Sequence, residues 1–158
     1  MNAMSDLIEK TADSLELISF EIGEQEFCID IRTVREIRGW TAATPLPQAP
    51  DYIRGIINLR GSIMPVLDLR ARLGLGVTEP SSRHVIVVVQ DNERSAGLLV
   101  DGVQETFTVD VTLPQDPPAL GGLDEERFVD AIIPIEGRMI SRLVVNRLMP
   151  EDTRAIAA

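Results

Sequence analysis

The stretch Gly55-Ile56-Ile57-Asn58-Leu59-Arg60-Gly61-Ser62-Ile63-Met64-Pro65-Val66-Leu67-Asp68-Leu69-Arg70 decides the fold class. Ile56 to Leu59 reads as a short strand closed by Gly61. Ile63 to Leu67 reads as a second strand. Pro65 marks an edge or a bulge in it, because proline offers no N–H to a sheet ladder. Asp68 is placed to cap a short helix from Leu69 to Leu73, and Gly74 ends that helix.

The same grammar extends in both directions. Upstream, Ile18, Phe20 and Ile22 alternate with Ser19 and Glu21, which is the period of a half-buried strand. Gly23-Glu24 turns the chain, and Phe27, Ile29 and Ile31 alternate with Cys28 and Asp30, giving a hairpin. Val34 and Ile37 sit three apart within Arg32 to Arg38, a spacing that predicts one helical turn. Pro45, Pro47 and Pro50 exclude a helix or a central strand after it. Downstream, Thr78 to Ser82 is polar, contains Pro80 and reads as a lobe boundary. Val85 to Val89 is continuously apolar, so both its faces are expected to be buried. Asp91-Asn92-Glu93 turns into a return strand from Ser95 to Val100. Val103, Glu105, Phe107, Val109 and Val111 share one face of a further strand. Pro114 to Glu126 is a long loop, and Phe128 to Ile135 with Met139 to Val145 form a last hairpin around Glu136-Gly137.

Many short strands with Gly and Pro turns predict an all-β protein of two packed β-barrels, with short helices near Val34 and Leu69. A Val-x-Glu step recurs at Val34-Arg35-Glu36 and Val103-Gln104-Glu105, a faint sign of duplication. The expected organisation is a flexible leader at 1–16, lobe one at about 17–78 and lobe two at about 83–135. A last strand and helix at 138–149 pack at the lobe junction, and 150–158 is a tail.

Composition narrows the function. The chain has 158 residues and a formal net charge of −10, with 44% hydrophobic and 25% charged residues. These proportions suit a folded globular chain. Through Glu79 there are 8 basic and 12 acidic residues, and after it 7 and 13. Neither half is basic, so neither offers a phosphate-binding surface or an affinity for anionic membranes. Few aromatics and a negative balance argue against an oligonucleotide-binding barrel. Met1 to Glu16 lacks the apolar core of a signal peptide. Val85 to Val89 is far shorter than the roughly 18 residues of a membrane span. The chain therefore reads as soluble and cytoplasmic.

No catalytic constellation emerges. His84 is the only histidine, too few imidazoles for the usual metal site and without a nucleophile elbow to serve. Cys28 is the only cysteine, which excludes an intrachain disulfide. Its neighbours Glu26 and Asp30 would raise a thiol pKa rather than activate it. Gly74-Leu75-Gly76 follows a helix and lacks the third glycine of a dinucleotide fingerprint. The expectation is a non-enzyme with no cofactor and no metal.

Three blocks carry a resemblance: Val34-Arg35-Glu36-Ile37-Arg38-Gly39, the run from Gly55 to Arg70, and Val100-Asp101-Gly102-Val103. In order and spacing they are similar to the CheW family of chemotaxis coupling proteins, over roughly Leu17 to Met149. The resemblance implies two five-stranded SH3-like barrels packed side by side and no catalytic activity. It implies a cytoplasmic adaptor at membrane-associated receptor arrays. Such an adaptor bridges the cytoplasmic hairpin of a chemoreceptor (a methyl-accepting chemotaxis protein) and the regulatory domain of the histidine kinase CheA. The receptor hairpin would lie in a groove between the barrels, touching Val34, Glu36, Ile37, Asn58 and Arg60. The kinase would meet Arg54, Ile63, His84 and Val85, and Leu120 would meet a second kinase domain in ring-like arrays. No nucleic acid and no membrane insertion are implied.

Other readings of the same residues stay open. Glu36 and Arg60 could be an internal surface pair contributing at most about 1 kcal/mol, and Ile63 and Val85 could be plain core. Ser141-Arg142 interrupts the apolar run of the last strand, so that charge must point outward or sit at a bulge. The alternatives for the whole chain are an adaptor of a non-motility chemosensory pathway and a small-ligand-binding β-barrel.

Overall fold

A computed structural model describes residues 13–118 and 124–150. Ten strands dominate it: β1 (Ser14–Ile22), β2 (Gln25–Asp30), β3 (Val34–Gly39), β4 (Ile53–Leu59), β5 (Ser62–Asp68), β6 (Val85–Asp91), β7 (Arg94–Val100), β8 (Gly102–Asp110), β9 (Val129–Ile135) and β10 (Arg138–Leu143). The helices are short: α1 (Leu69–Arg72), α2 (Val145–Leu148) and 3-10 turns at Ile31–Thr33 and Asp124–Arg127. Asp68 caps α1 by accepting from the Ala71 N–H at 3.4 Å, and Gly74, at φ 75°, follows it in the left-handed region.

The strands form two five-stranded sheets, ordered β8-β1-β2-β10-β9 and β3-β6-β7-β5-β4. Each sheet closes on itself through an isolated bridge, Gln115 to Ile132 in the first and Thr44 to Ile56 in the second. The expected pair of five-stranded barrels is therefore present.

The two barrels do not follow one another along the chain. The unit β1 to β5 is repeated as β6 to β10, and each unit lends its opening hairpin to the other's sheet. β3 pairs with β6 and β8 with β1, both antiparallel. β5 pairs with β7 and β10 with β2, both parallel. The expected split into lobes at 17–78 and 83–135 is thus replaced by interleaved sheets. Ile31–Thr33 redirects the chain after β2, Asp101 alone separates β7 from β8, and neither third strand lies beside its own hairpin.

The duplication extends to irregularities. Arg35 of β3 and Gln104 of β8 are each an extra residue in the ladder, so both Val-x-Glu steps are β-bulges. Arg54 of β4 and Asp130 of β9 are likewise extra residues at matching positions. The bulged Asp130 carboxylate accepts from Arg142 Nε at 2.7 Å, which accommodates the charge that interrupts the last strand.

Three apolar clusters follow from this weave. Ile57, Met64, Val66, Ile86, Val88 and Leu99 fill the second barrel. Leu17, Cys28, Val109, Ile133 and Ile140 form a cluster on the first sheet. A larger cluster joins the sheets, with Phe20, Phe27 and Ile29 meeting Leu67, Val87 and Leu98. β6 serves two of them: Val87 and Val89 face the shared core, and Ile86 and Val88 face the barrel interior. That is why Val85 to Val89 shows no polar alternation.

Other expectations are corrected. Val34 lies in strand β3, not in a helix. Strand β1 begins at Ser14, within the expected leader. The rest of that leader, 1–12, and most of the tail, 151–158, lie outside the described residues. Pro65 sits where β5 has only β4 beside it, because β7 joins from Val66 onward.

Gly55 allows the second barrel to close. Its φ is 147°, and a Cβ there would collide with the Thr44 backbone carbonyl, next to the bridge to Ile56. Gly55→Ala should lower stability by about 2–3 kcal/mol through forced displacement of that segment. Urea unfolding of the two proteins checks this.

Candidate functional site

The edge strand β3 and the β4–β5 turn meet where the second barrel closes. Arg60 was expected on the strand face of Asn58; instead it sits in the turn beyond β4, at φ 54°, followed by Gly61 at 87°. Asn58 shapes this turn by accepting from the Gly61 N–H at 3.0 Å. The turn brings Arg60 Nη2 to 2.8 Å from Glu36 Oε2. Arg38 Nη1 approaches the other Glu36 oxygen at 3.4 Å, and Arg38 Nε is buried without a hydrogen-bond partner. The Arg60 side chain is 85% exposed against 21% for Glu36, so the carboxylate is partly sheltered and its cation is not.

The Arg35 bulge distributes the expected receptor residues. Val34 pairs with Val89 and Ile37 with Val87, both on the shared-core side; Glu36 pairs with Val88 on the other. Val34 and Ile37 do share a face three residues apart, but through a bulge rather than a helical turn. Val34 packs on the shared core, while Ile37 remains 46% exposed. β3 thus presents a charged side and an apolar side along one edge.

The residues assigned to the kinase divide between two ends of the second sheet. Arg54, His84 and Val85 lie at one end. Arg54 Nη1 donates to the Thr78 carbonyl at 3.1 Å and lies 3.9 Å from the buried Asp68. Asp68 accepts from the Thr78 N–H at 2.8 Å and its hydroxyl at 2.6 Å. His84 Nδ1 accepts from the Ser81 N–H at 3.0 Å, which leaves the ring proton on Nε2, 3.4 Å from Asp101. Asp101 also accepts from Arg70 at 2.7 Å and from the Gly23 N–H at 2.6 Å, tying α1 to the β1–β2 turn. Val85 is partly buried against the shared core. Ile63 is elsewhere: it pairs with Asn58 beside the Arg60 turn and is 68% exposed, which excludes a core role for it. Leu120 lies outside the described residues.

The sequence reading missed a counterpart of the Glu36–Arg60 pair. Glu105, the glutamate of the second Val-x-Glu step, meets Arg138 Nη2 at 2.6 Å. Arg138 follows the β9–β10 turn at Glu136-Gly137, which has the same left-handed geometry as Arg60-Gly61. Arg138 also meets Glu26 at 2.9 Å. The Val-x-Glu repeat was the available signal.

Cys28 is fully buried, and burial, opposed by Arg142 and reinforced by Asp130, pushes its thiol up to about 12. The direction matches the expectation, but the cause is desolvation first, not the neighbouring Glu26 and Asp30. Among the described residues, no group of three or more His, Cys, Asp or Glu is placed to hold a metal, and no helix is long and apolar enough to cross a membrane.

Two interleaved five-stranded barrels with polar pairs at their closures define the fold class. A family model described as the CheW-like domain matches residues 16–153, and the chain belongs to that family. It is 47% identical over 142 residues to a chemotaxis protein CheW of Rhizobium meliloti, covering 90% of this chain and 92% of that one. Similarity extends to a chemotaxis protein CheW of Bacillus subtilis, 28% identical over 87% of this chain and 88% of that one. The crystal structure of scaffolding protein TtCheW from Thermoanaerobacter tengcongensis superposes with a TM-score of 0.76 at 33% identity, covering 82% of this chain and 88% of that one.

Two outcomes follow from the site geometry. Arg60→Ala should change stability by less than about 1 kcal/mol, because exposed ion pairs contribute little; thermal unfolding tests it. Cys28 has a second signature. Its pKa rises from 9.0 to about 12 on folding, so the folded state holds a proton that the unfolded chain releases above pH 9. Its contribution to stability should fall as pH rises from 9 toward 12. Cys28→Ala should flatten that part of the stability profile, measured by urea unfolding across the alkaline range.

Proposed function

We propose that this chain is a non-catalytic adaptor that couples chemoreceptor cytoplasmic hairpins to the kinase CheA, acting in the cytoplasm at receptor arrays. The observation that supports this most is the edge of β3. Glu36, mostly sheltered, is paired with a nearly fully exposed Arg60, and Ile37 is exposed on the opposite side of the same edge. An amphipathic receptor helix lying along that edge would meet a charge pair and an apolar residue together. Val34 packs on the shared core on the same side of β3 as Ile37, and Asn58 holds the Arg60 turn. Ile63, beside that turn, fits this receptor face better than a kinase contact.

The kinase surface is then the other end of the second sheet, around Arg54, His84 and Val85. The networks of Asp68 and Asp101 hold that end rigid. Leu120 keeps its proposed contact with a second kinase domain. A ligand-binding barrel is less favoured, because Ile57, Met64, Val66, Ile86, Val88 and Leu99 occupy the second barrel's interior.

Arg60→Ala tests the reading. A bound helix would cover Glu36, and without Arg60 that carboxylate would keep only the longer Arg38 contact at 3.4 Å. Receptor affinity should fall about tenfold or more. Titration with a receptor cytoplasmic fragment measures it, and titration with the CheA regulatory domain should show no change. Equal losses in both titrations would refute the receptor face. Failure of the wild-type chain to raise kinase activity in a receptor–CheA reconstitution would refute the adaptor reading itself.

A further inference from the structure

The described arginines of this acidic chain are mostly matched. Arg32, Arg60, Arg70, Arg138 and Arg142 each face a carboxylate between 2.6 and 2.8 Å. Four exposed arginines, Arg35, Arg83, Arg127 and Arg147, have no carboxylate partner among the described residues, and of these Arg127 and Arg147 stand together. They share one cleft of about 390 Å³, whose other lining residues are Arg94, Phe128, Asn146 and Met149.

This cleft is built on fixed elements. Arg72 of α1 donates to the carbonyls of Arg147, Leu148 and Met149 at the end of α2, at 3.3, 3.0 and 3.3 Å. Its guanidinium also lies over the rings of Tyr52 and Phe128, at 4.0 and 4.9 Å. The last turn of α2 is therefore pinned to the shared core. Arg94 reaches the same place from β7. It donates to the Pro150 carbonyl at 3.2 Å and keeps one carboxylate, Asp91, at 3.4 Å. Arg127 lies 5.1 Å over the Phe128 ring, so its head is held beside the cleft.

We propose that this cleft docks an acidic peptide segment of a partner protein. Its cations come from three elements, the start of β7, the Asp124–Arg127 turn and α2. Guanidinium groups contributed by three separate elements suit a peptide carrying several carboxylates, since each planar fork can pair with one of them. The chain's net charge of −10 would repel an acidic segment elsewhere, so the cleft also confines where it binds. This docking site is separate from the β3 edge and independent of the receptor reading.

The test uses the full chain and a fluorescein-labelled hexaglutamate probe, read by fluorescence anisotropy at low ionic strength. Saturable binding is expected. The double variant Arg127→Glu/Arg147→Glu should weaken it about tenfold or more, through lost attraction and new repulsion. Arg83→Glu, which reverses an exposed arginine outside the cleft, should leave affinity within about twofold. Unchanged thermal midpoints establish that the variants are folded. Equal weakening in both variants would reduce the effect to net charge and overturn the proposal. Binding seen only after removal of residues 151–158, whose Glu151 and Asp152 adjoin the cleft in sequence, would assign the cleft to the chain's own tail instead. Binding of inorganic pyrophosphate without binding of the peptide would also overturn it.

Discussion

The rest of the structure depends on one constraint: each half of the chain must place its opening hairpin in the other half's sheet. The parallel pairs β5–β7, with Val66 beside Gly97, and β10–β2, with Ser141 beside Phe27, leave neither barrel complete within one half of the chain. The hairpin β6–β7 is then covered on both faces, by its own barrel interior and by the core shared with the first sheet. Separating the barrels would expose that shared core, including Phe20, Phe27 and Phe128, which are almost fully buried. Burying each such ring contributes on the order of 2–3 kcal/mol, so the two barrels behave as one packed body.

The closures of the barrels inherit their chemistry from this arrangement. In each half, the third strand crosses to the other hairpin and bulges at a Val-x-Glu step. The glutamate then meets an arginine at or beside the fourth-to-fifth strand turn. The two versions differ in charge. Glu36 faces Arg60 and Arg38, whereas Arg138 faces Glu105 and Glu26 with Glu136 nearby. A duplicated scaffold has thus been given one closure with excess positive charge and one with excess negative charge.

Two carboxylates, the buried Asp68 and the partly sheltered Asp101, serve the same economy of positions. Asp68 is 1% exposed, yet it caps α1, receives both donors of Thr78 and lies near Arg54. Asp101 links the β1–β2 turn, α1 and His84. These carboxylates hold loops that have little apolar material of their own, and a buried carboxylate is tolerated where several donors surround it. His84 and Arg54 are accordingly anchored residues.

The sequence by itself determined the elements that depend on neighbours in the chain. The strand at Ile18, Phe20 and Ile22, the Asp68 cap and the Gly61 and Gly137 turns each state a local rule and appear where they were read, although β1 is buried on both faces from Leu17 to Phe20 rather than half-buried. The motif around Gly55 to Arg70 carried the family. Local rules failed at Arg35. There, Val34 and Ile37 share a face because an extra residue in β3 shifts the ladder against β6, and a spacing of three alone reads as a helix. They failed again at Arg60, which leaves its strand for the turn. Which hairpin joins which sheet was not legible either, because β-pairing partners are chosen by apolar faces and crossover geometry among distant segments. The meeting of Glu36 with Arg60, the opposite placement of Ile63 and Arg54, and the convergence of Arg94, Arg127 and Arg147 on one cleft all follow from that choice. Only the tertiary structure decided them, since residues from five or more strands had to be folded together before any of those side chains became neighbours.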